Sequence, residues 1–147
     1  MPQNVLLVAE DSADDALLLE RALRLSKSSF RMIRVANGDD CIAYVEGTGN
    51  YRDRSLFPSP KVVLLDLKMP RKDGFEVLQW RQQIPAAAGI PVVVFSSSGL
   101  AEDIARAYRL GANSYVIKPI SPERLELMVK SLHGWWDVFN TTTPSAA

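Results

Sequence analysis

The segment VVLLDLKMPRKDG, residues 62–74, places one carboxylate, Asp66, directly after four apolar residues. Burying a carboxylate is costly unless another group pairs with it. Asp66 therefore either turns out to solvent or belongs to a site that requires a negative charge. Three further apolar runs also end in residues that can do chemistry, namely Glu10 with Asp11, Ser96, and Lys118.

Apolar runs that alternate with helical patterns must position these groups. The predicted strands cover residues 4–10, 31–37, 61–66, 90–96 and 113–118, and the predicted helices cover residues 14–26, 39–47, 73–83, 99–111 and 121–139. Such alternation is typical of a parallel sheet covered by helices on both faces. The nearly continuous Val, Leu and Ile in the strands agrees with burial on both sides. The predicted fold class is therefore α/β, with its site at the carboxyl ends of the strands.

Two stretches between these elements are predicted to interrupt the regular secondary structure. Residues 48–60 are polar and contain two prolines, which predicts an exposed loop. Pro85 and Gly89 are expected to interrupt the chain between the third helix and the fourth strand.

Composition excludes several classes of protein. The 147 residues suggest one domain, and a hydrophobic fraction of 47% is enough for a core. Equal numbers of basic and acidic residues, 17 each, argue against a dedicated nucleic-acid binder. No apolar run approaches the roughly 20 residues of a membrane span, and the start of the chain lacks the features of a secretory signal. Because Cys41 is the one cysteine, we expect no disulfide framework and a cytoplasmic protein.

The charges of the converging residues predict a particular chemistry. Three neighbouring carboxylates raise one another's pKa, and a divalent cation such as Mg²⁺, which prefers oxygen ligands, relieves the repulsion. The two charges of the metal and the one of Lys118 would balance the three acids. A site balanced in this way can receive a phosphoryl group, to which Ser96 donates a hydrogen bond, because phosphoryl transfer depends mainly on positioning and charge stabilisation. Asp66 would then be the nucleophile that forms an acyl phosphate.

Each of these residues also has a simpler explanation. Glu10 and Asp11 precede a helix, where acidic residues cap the first turn and interact favourably with the helix dipole. Asp66 can be a turn aspartate, Ser96 a loop serine in the run SSSG, and Lys118 a solvated surface lysine. These explanations would have to hold independently at four strand ends. Their joint occurrence in this order favours a functional site.

Four segments in order, LLVAEDS, VVLLDLKMPRKDG, IPVVVFSSSG and GANSYVIKP, resemble the receiver domain of bacterial two-component response regulators. The resemblance covers roughly residues 4–133. It implies a flavodoxin-like, doubly wound sheet of five parallel strands in the order 2-1-3-4-5. It also implies that Asp66 is the phosphoacceptor, Ser96 the switch hydroxyl and Lys118 the phosphate-binding lysine.

The same resemblance implies a metal site and a conformational switch. Mg²⁺ would be bound by Asp11, by Asp66 and by the backbone carbonyl of Lys68, with Glu10 helping through a water molecule. Tyr115 matches the aromatic switch position of the family. The peptide bond between Lys118 and Pro119 is expected to be cis.

We expect a single receiver domain over residues 1–140 with an extended C-terminal helix, followed by a flexible tail at 141–147. The resemblance implies a signalling protein that catalyses only its own phosphorylation and dephosphorylation. Phosphorylation is expected to draw Ser96 towards the phosphoryl oxygens and to turn Tyr115 inward. This would change the surface formed by the fourth predicted helix, the fifth strand and the fifth predicted helix.

The last predicted helix carries an apolar stripe that continues into aromatic residues: Leu125, Met128, Val129, Leu132, Trp136 and Phe139. The stripe either covers the core or, because the helix exceeds the usual receiver length and places Trp135 beside the stripe, forms an interface. We hypothesise a homodimer or partner surface built on this helix and its extension. The long loop at 48–60 and the aromatic extension are also similar to stand-alone regulators paired with phytochrome histidine kinases. A sensor histidine kinase is therefore the expected partner.

Three other classes of protein share parts of this pattern. A flavin- or nucleotide-binding module would need a phosphate-binding loop after the first strand, where this chain has the acidic AEDSADD. A phosphatase of the haloacid dehalogenase type would need a second aspartate two residues after Asp66, where this chain has Lys68. A degenerate receiver acting as a scaffold would not need the acids and the lysine that this chain retains.

Overall fold

The computed structural model describes residues 4–118 and 120–134. The strands are Val5–Ala9 (β1), Arg31–Val35 (β2), Pro60–Leu65 (β3), Val92–Ser96 (β4) and Ser114–Ile117 (β5). All are parallel and form one sheet in the order β2-β1-β3-β4-β5. This confirms the predicted flavodoxin-like α/β fold, with each strand within a few residues of its predicted position.

The helices are Ala13–Leu25 (α1), Gly38–Glu46 (α2), Gly74–Gln83 (α3), Pro85–Ala88 (α4), Ala101–Arg109 (α5) and Pro122–Gly134 (α6). The described residues contain one more α-helix than predicted, because α4 forms where Pro85 and Gly89 were expected only to interrupt the chain. A proline is compatible with the first turn of a helix, where its missing N–H has no helical partner. Within the described residues, no helix has the length and apolarity needed to span a membrane.

Local hydrogen bonds cap the helices that follow β1 and β3. The hydroxyl of Ser12 accepts a hydrogen bond from the backbone N–H of Asp15 at 3.2 Å and caps α1. At α3, Asp73 and Glu76 form a capping box in which each side chain accepts from the other's backbone N–H. These caps fix the first residues of α1 and α3 and so set the ends of the two loops that carry Glu10, Asp11 and Asp66.

The sheet separates two apolar layers. Alternate residues of the central strands point to opposite faces, with Leu7 and Leu65 in one layer and Leu6 and Leu64 in the other. The first layer is completed by α2, α3 and α5, and the second by α1 and α6. Burial on both faces explains why β1 and β3 consist almost entirely of Val and Leu.

The stretch 48–60 is not the fully exposed loop that its polarity predicts. It contains a 3₁₀ turn, Gly49–Tyr51, and its last residue, Pro60, is buried and begins β3. The rings of Tyr51 and Phe57 lie 5.3 Å apart and pack against the core. Tyr44 of α2 lies 5.0 Å from the ring of Tyr51 and donates its hydroxyl to a backbone carbonyl of the loop. Aromatic residues at irregular spacing therefore anchor this segment.

The predicted stripe on the last helix covers the core within the described part of α6. Leu125 and Val129 are buried, and Met128 and Leu132 pack against the same layer. The remaining aromatic members of the stripe, Trp135, the Lys118–Pro119 bond and the tail at 141–147 lie outside the described residues. The predictions made for them therefore stay predictions.

The single cysteine provides a test of the packed core. Cys41 is completely buried, and desolvation raises the pKa of its thiol from 9.0 to about 12. Because the thiolate is the reactive form, we expect a disulfide reagent at pH 8 to modify the native protein about a thousandfold more slowly than the urea-unfolded protein. Absorbance of the released thiol measures both rates. Rapid stoichiometric modification under native conditions would contradict this packing.

Candidate functional site

The carboxyl ends of four strands meet at one edge of the sheet, as the sequence predicts. Ala9 pairs with Leu65, so the residues that follow β1 and those that follow β3 continue side by side. Ser96 ends β4 and pairs with Ile117, the last residue of β5. Asp66 and Lys118 each come directly after a strand end. The parallel register therefore brings all the predicted groups to the same edge.

Three carboxylates form a compact group at this edge. Glu10, Asp11 and Asp66 each offer an oxygen, and these oxygens lie within 4.8 Å of one another. Glu10 and Asp66 are buried, whereas Asp11 is exposed. Three hard oxygen donors at this spacing, with one side open to solvent, fit a divalent cation that keeps part of its water shell.

A buried ammonium group faces the acids. The side chain of Lys118 is 11% exposed, and its Nζ donates hydrogen bonds to Asp15 at 2.9 Å, to Asp66 at 3.2 Å and to Glu10. The Nζ also lies 5.2 Å from the centre of the Phe95 ring. Three carboxylate partners therefore hold the Lys118 ammonium group at this edge of the sheet.

The pKa values of the central pair follow from burial and from their mutual contact. Burial raises the pKa of the Glu10 carboxyl from 4.5 to about 7; the hydrogen bond from Lys118 opposes this rise, and Asp66 adds to it. Burial by itself would lower the pKa of Lys118, but its hydrogen bonds to Glu10 and Asp15 raise that pKa above its ordinary value. Lys118 is therefore a permanent positive charge at neutral pH.

Asp15 is a fourth carboxylate that sequence reasoning missed. It lies in the first turn of α1, four residues after Asp11, and its side chain reaches Lys118. The predicted balance of three acids against a divalent ion and one lysine therefore leaves out one carboxylate that contacts Lys118. The spacing of four residues was the available signal, because residues i and i+4 occupy the same face of a helix.

Arg34 holds the acidic loop from the neighbouring strand. Its Nε donates to the backbone carbonyl of Glu10 at 2.8 Å, and its Nη2 donates to that of Asp11 at 3.1 Å. None of the predicted site residues lies on the second strand, and both of these hydrogen bonds from its arginine go to backbone carbonyls. Its function in this geometry is to orient the loop after β1, which the sequence pattern did not indicate.

A chain of hydrogen bonds connects Ser96 to Tyr115. The fully buried Ser96 hydroxyl accepts from the backbone N–H of Ser98 at 3.2 Å, which leaves its own proton available for donation. The backbone carbonyl of Ser98 accepts from the hydroxyl of Tyr115 at 2.7 Å. The Ser98 hydroxyl donates to Asp103 of α5 at 2.6 Å. These hydrogen bonds connect the end of β4 with β5 and α5.

The loop after Asp66 packs tightly against the start of α3. The backbone N–H of Lys68 donates to the Asp66 carboxylate at 3.3 Å, and the N–H of Gly74 donates to the carbonyl of Leu67 at 3.0 Å. A Cβ atom placed on Gly74 would lie 2.4 Å from the carbonyl oxygen of Asp66. Glycine is therefore required for this close approach.

This combination of sheet order, acidic cluster, buried hydroxyl and buried lysine defines a receiver-type signalling domain. The sequence model of the response regulator receiver domain family matches residues 6–130. The chain belongs to that family.

Individual relatives agree over almost the whole chain. Response regulator Rcp1 of Synechocystis sp. is 34% identical over 145 residues, which cover 99% of this chain and 96% of the relative. The crystal structure of the phosphorylated cyanobacterial phytochrome response regulator RcpA superposes with a TM-score of 0.83 at 32% identity, over 95% of this chain and 97% of that one. The Mn²⁺-bound form of Rcp1 gives 0.80 at 33% identity, over 95% and 99%. The protein is thus a receiver-domain response regulator, a signalling protein similar to Rcp1.

Proposed function

We propose that this response regulator accepts a phosphoryl group on Asp66. The observation that carries the proposal is the placement of the Asp66 carboxylate, between the acids that follow β1 and the Nζ of Lys118 at 3.2 Å. A nucleophile in this position has a cation on one side and an open acidic cluster on the other. The cation stabilises negative charge that builds up on a transferring phosphoryl group, and the acidic cluster would do so through the divalent ion that it could hold.

Mg²⁺ is the proposed cofactor, and the described donors fit it. Asp11 and Asp66 supply carboxylate ligands, Glu10 acts through a water molecule, and Lys68 is proposed to add its backbone carbonyl. When bound, the ion supplies Lewis-acid stabilisation of phosphoryl oxygens. The structure of Mn²⁺-bound Rcp1 supports a divalent ion in a protein of this family.

The chain's own residues account for the transfer step. An oxygen of Asp66 attacks the phosphorus of the donor, the bond from phosphorus to the leaving group breaks, and the leaving group departs with the electron pair. Lys118 neutralises one equatorial oxygen, and the Ser96 hydroxyl donates to another. Water later attacks the phosphorus and restores the carboxylate, so the protein catalyses only its own phosphorylation and dephosphorylation.

The same residues provide the proposed switch. Phosphorylation replaces one negative charge on Asp66 with about two, which draws the Ser96 hydroxyl towards the phosphoryl oxygens. The bonds through Ser98 transmit this movement, and Tyr115 turns inward. The receiving surface is α5–β5–α6, the counterpart of the predicted fourth helix, fifth strand and fifth helix. It exposes Leu100, Tyr108 and Ile117 by 66%, 47% and 45%, respectively, which supports a role in contacts.

The proposed partner is a sensor histidine kinase of the phytochrome type, which supplies the phosphoryl group in the cytoplasm. The support is the similarity to the phytochrome response regulator RcpA. We also propose that the protein forms a homodimer through α6 and its extension. The proposed receiver domain covers residues 1–140. Since the described stripe of α6 packs on the core, such a dimer would depend on its exposed side, including Leu127, and on the residues after 134.

Labelling with acetyl phosphate tests the proposed function directly. We expect one phosphoryl group per chain in the presence of Mg²⁺, which is released by hydroxylamine as an acyl phosphate must be. Chelation of the metal should slow labelling at least about a hundredfold, because a metal ion contributes several kcal/mol to stabilising the transferred charge. Intact-protein mass spectrometry measures the stoichiometry. Label that resists hydroxylamine, or none at all with Mg²⁺ present, would refute the proposal.

A further inference from the structure

We infer that Asp15 is a positioning residue that acts through Lys118 and slows phosphorylation of Asp66. This inference rests on the proposed function of the site. It assigns to a side chain on α1 control over how readily the site accepts a dianionic phosphoryl group. The residue lies outside the acidic cluster that fits the metal.

The geometry shows a competition for one ammonium group. Lys118 has three N–H donors, and they are directed to Glu10, to Asp15 at 2.9 Å and to Asp66 at 3.2 Å. All three donors are therefore used in the unphosphorylated protein. A phosphoryl oxygen can be bound by Lys118 only if one of these carboxylates gives up its hydrogen bond. The bond to Asp15 is shorter than the bond to Asp66, so Asp15 holds the lysine on the α1 side.

The charge of Asp15 opposes the incoming group as well. The Asp15 carboxylate adds a negative charge beside Lys118 that the metal-binding cluster does not contain. Phosphodonors such as acetyl phosphate carry two negative charges at neutral pH, so this added charge repels them. Replacing Asp15 by a neutral residue would remove that repulsion.

Exposure makes the effect of Asp15 testable without disrupting the core. Its side chain is 38% exposed, compared with 3% for Glu10 and 10% for Asp66. Asp14 is an exposed acid in the same first turn, so it shares the favourable interaction with the helix dipole. The described structure gives Asp14 no hydrogen bond to Lys118. Asp14→Asn therefore controls for everything except the contact with the lysine.

The experiment compares the rate constants of labelling by acetyl phosphate at saturating Mg²⁺ in wild type, Asp15→Asn, Asp15→Ala and Asp14→Asn. At about 0.02 M ionic strength we expect both Asp15 variants to label about five- to tenfold faster than wild type, as expected for loss of one nearby charge. The advantage should shrink at about 0.5 M, where the screening length is only about 4 Å. Asp14→Asn should stay within twofold of wild type at both salt concentrations. Arg34 is common to all four proteins and does not affect the comparison.

Each result decides between the alternatives. Faster labelling in both Asp15 variants, reduced by salt, supports the inference, because a merely structural role would change the melting temperature and not the salt dependence. Equal or slower labelling in the Asp15 variants, while wild type is labelled, overturns the inference and leaves the proposed function intact. The same acceleration in Asp14→Asn also overturns it. If wild type is not labelled at all, the proposed function fails and the inference fails with it.

Discussion

Replacement of Asp66 by asparagine is expected to abolish phosphoryl incorporation from acetyl phosphate while leaving the protein folded. An amide has the same shape as a carboxylate but is not a nucleophile that can form an acyl phosphate. Lys118 keeps two of its carboxylate partners, Glu10 and Asp15, so it is not left as an unpaired buried charge. Loss of one of several neighbouring negative charges also relieves repulsion.

Mass spectrometry after incubation with acetyl phosphate and Mg²⁺ measures this effect, and circular dichroism confirms folding. Asp39→Asn is a matched control, because Asp39 lies in the first turn of α2, its side chain is 45% exposed and it forms an ion pair with Lys72 at 3.6 Å. The control should be labelled like wild type. Undiminished labelling of the Asp66 variant would show that the phosphoacceptor is a different residue.

The second large effect concerns the backbone beneath the phosphoacceptor. Gly74→Ala is expected to lower the free energy of unfolding by about 3 kcal/mol, the upper part of the range for overpacking. The added Cβ would lie 2.4 Å from the carbonyl oxygen of Asp66 and 2.8 Å from the Cα of Leu67. Both contacts are to backbone, so no side-chain rotation relieves them. The backbone at Asp66 must move, which should weaken divalent-ion binding at the same time.

Urea unfolding gives the loss of stability, and calorimetric titration with Mg²⁺ gives the change in affinity. Gly89→Ala provides the comparison, because a Cβ there meets no atom within 4 Å and the backbone φ is −85°. That variant should unfold within about 1 kcal/mol of wild type and bind the ion normally. Equal stabilities of the two variants would show that the loop after β3 tolerates a side chain at residue 74 and is not tightly packed there.

The sequence was most informative where the chemistry lies at strand ends. Asp66, Ser96 and Lys118 each follow a continuous apolar run, and parallel strands align such ends at one edge. This regularity was enough to predict both the fold class and the convergence of the site. It required no knowledge of side-chain conformations.

Contacts that depend on the direction of a side chain were not predicted. Asp15 reaches the site across one helical turn, and Arg34 reaches it from an edge strand by bonding to backbone rather than to a charge. The pattern of apolar residues in the sequence predicts neither the contact of Asp15 nor that of Arg34. Likewise, Tyr51 and Phe57 anchor a polar segment without helical or strand spacing, so their burial depends on the shape of the neighbouring surface.

The hydrogen bond between Lys118 and Glu10 joins residues separated by 108 positions in the chain. Any ligand that binds between these two residues therefore needs β1 and β5, the first and the last strand along the chain, in place together. The free energy of ligand binding is then added to the stability of the entire sheet and not to that of one loop. This follows because a ligand that binds only the native state makes complete unfolding less favourable. Amide protons deep in β1, β3 and β4 should consequently exchange with deuterium more slowly, and by a common factor, when the edge is occupied.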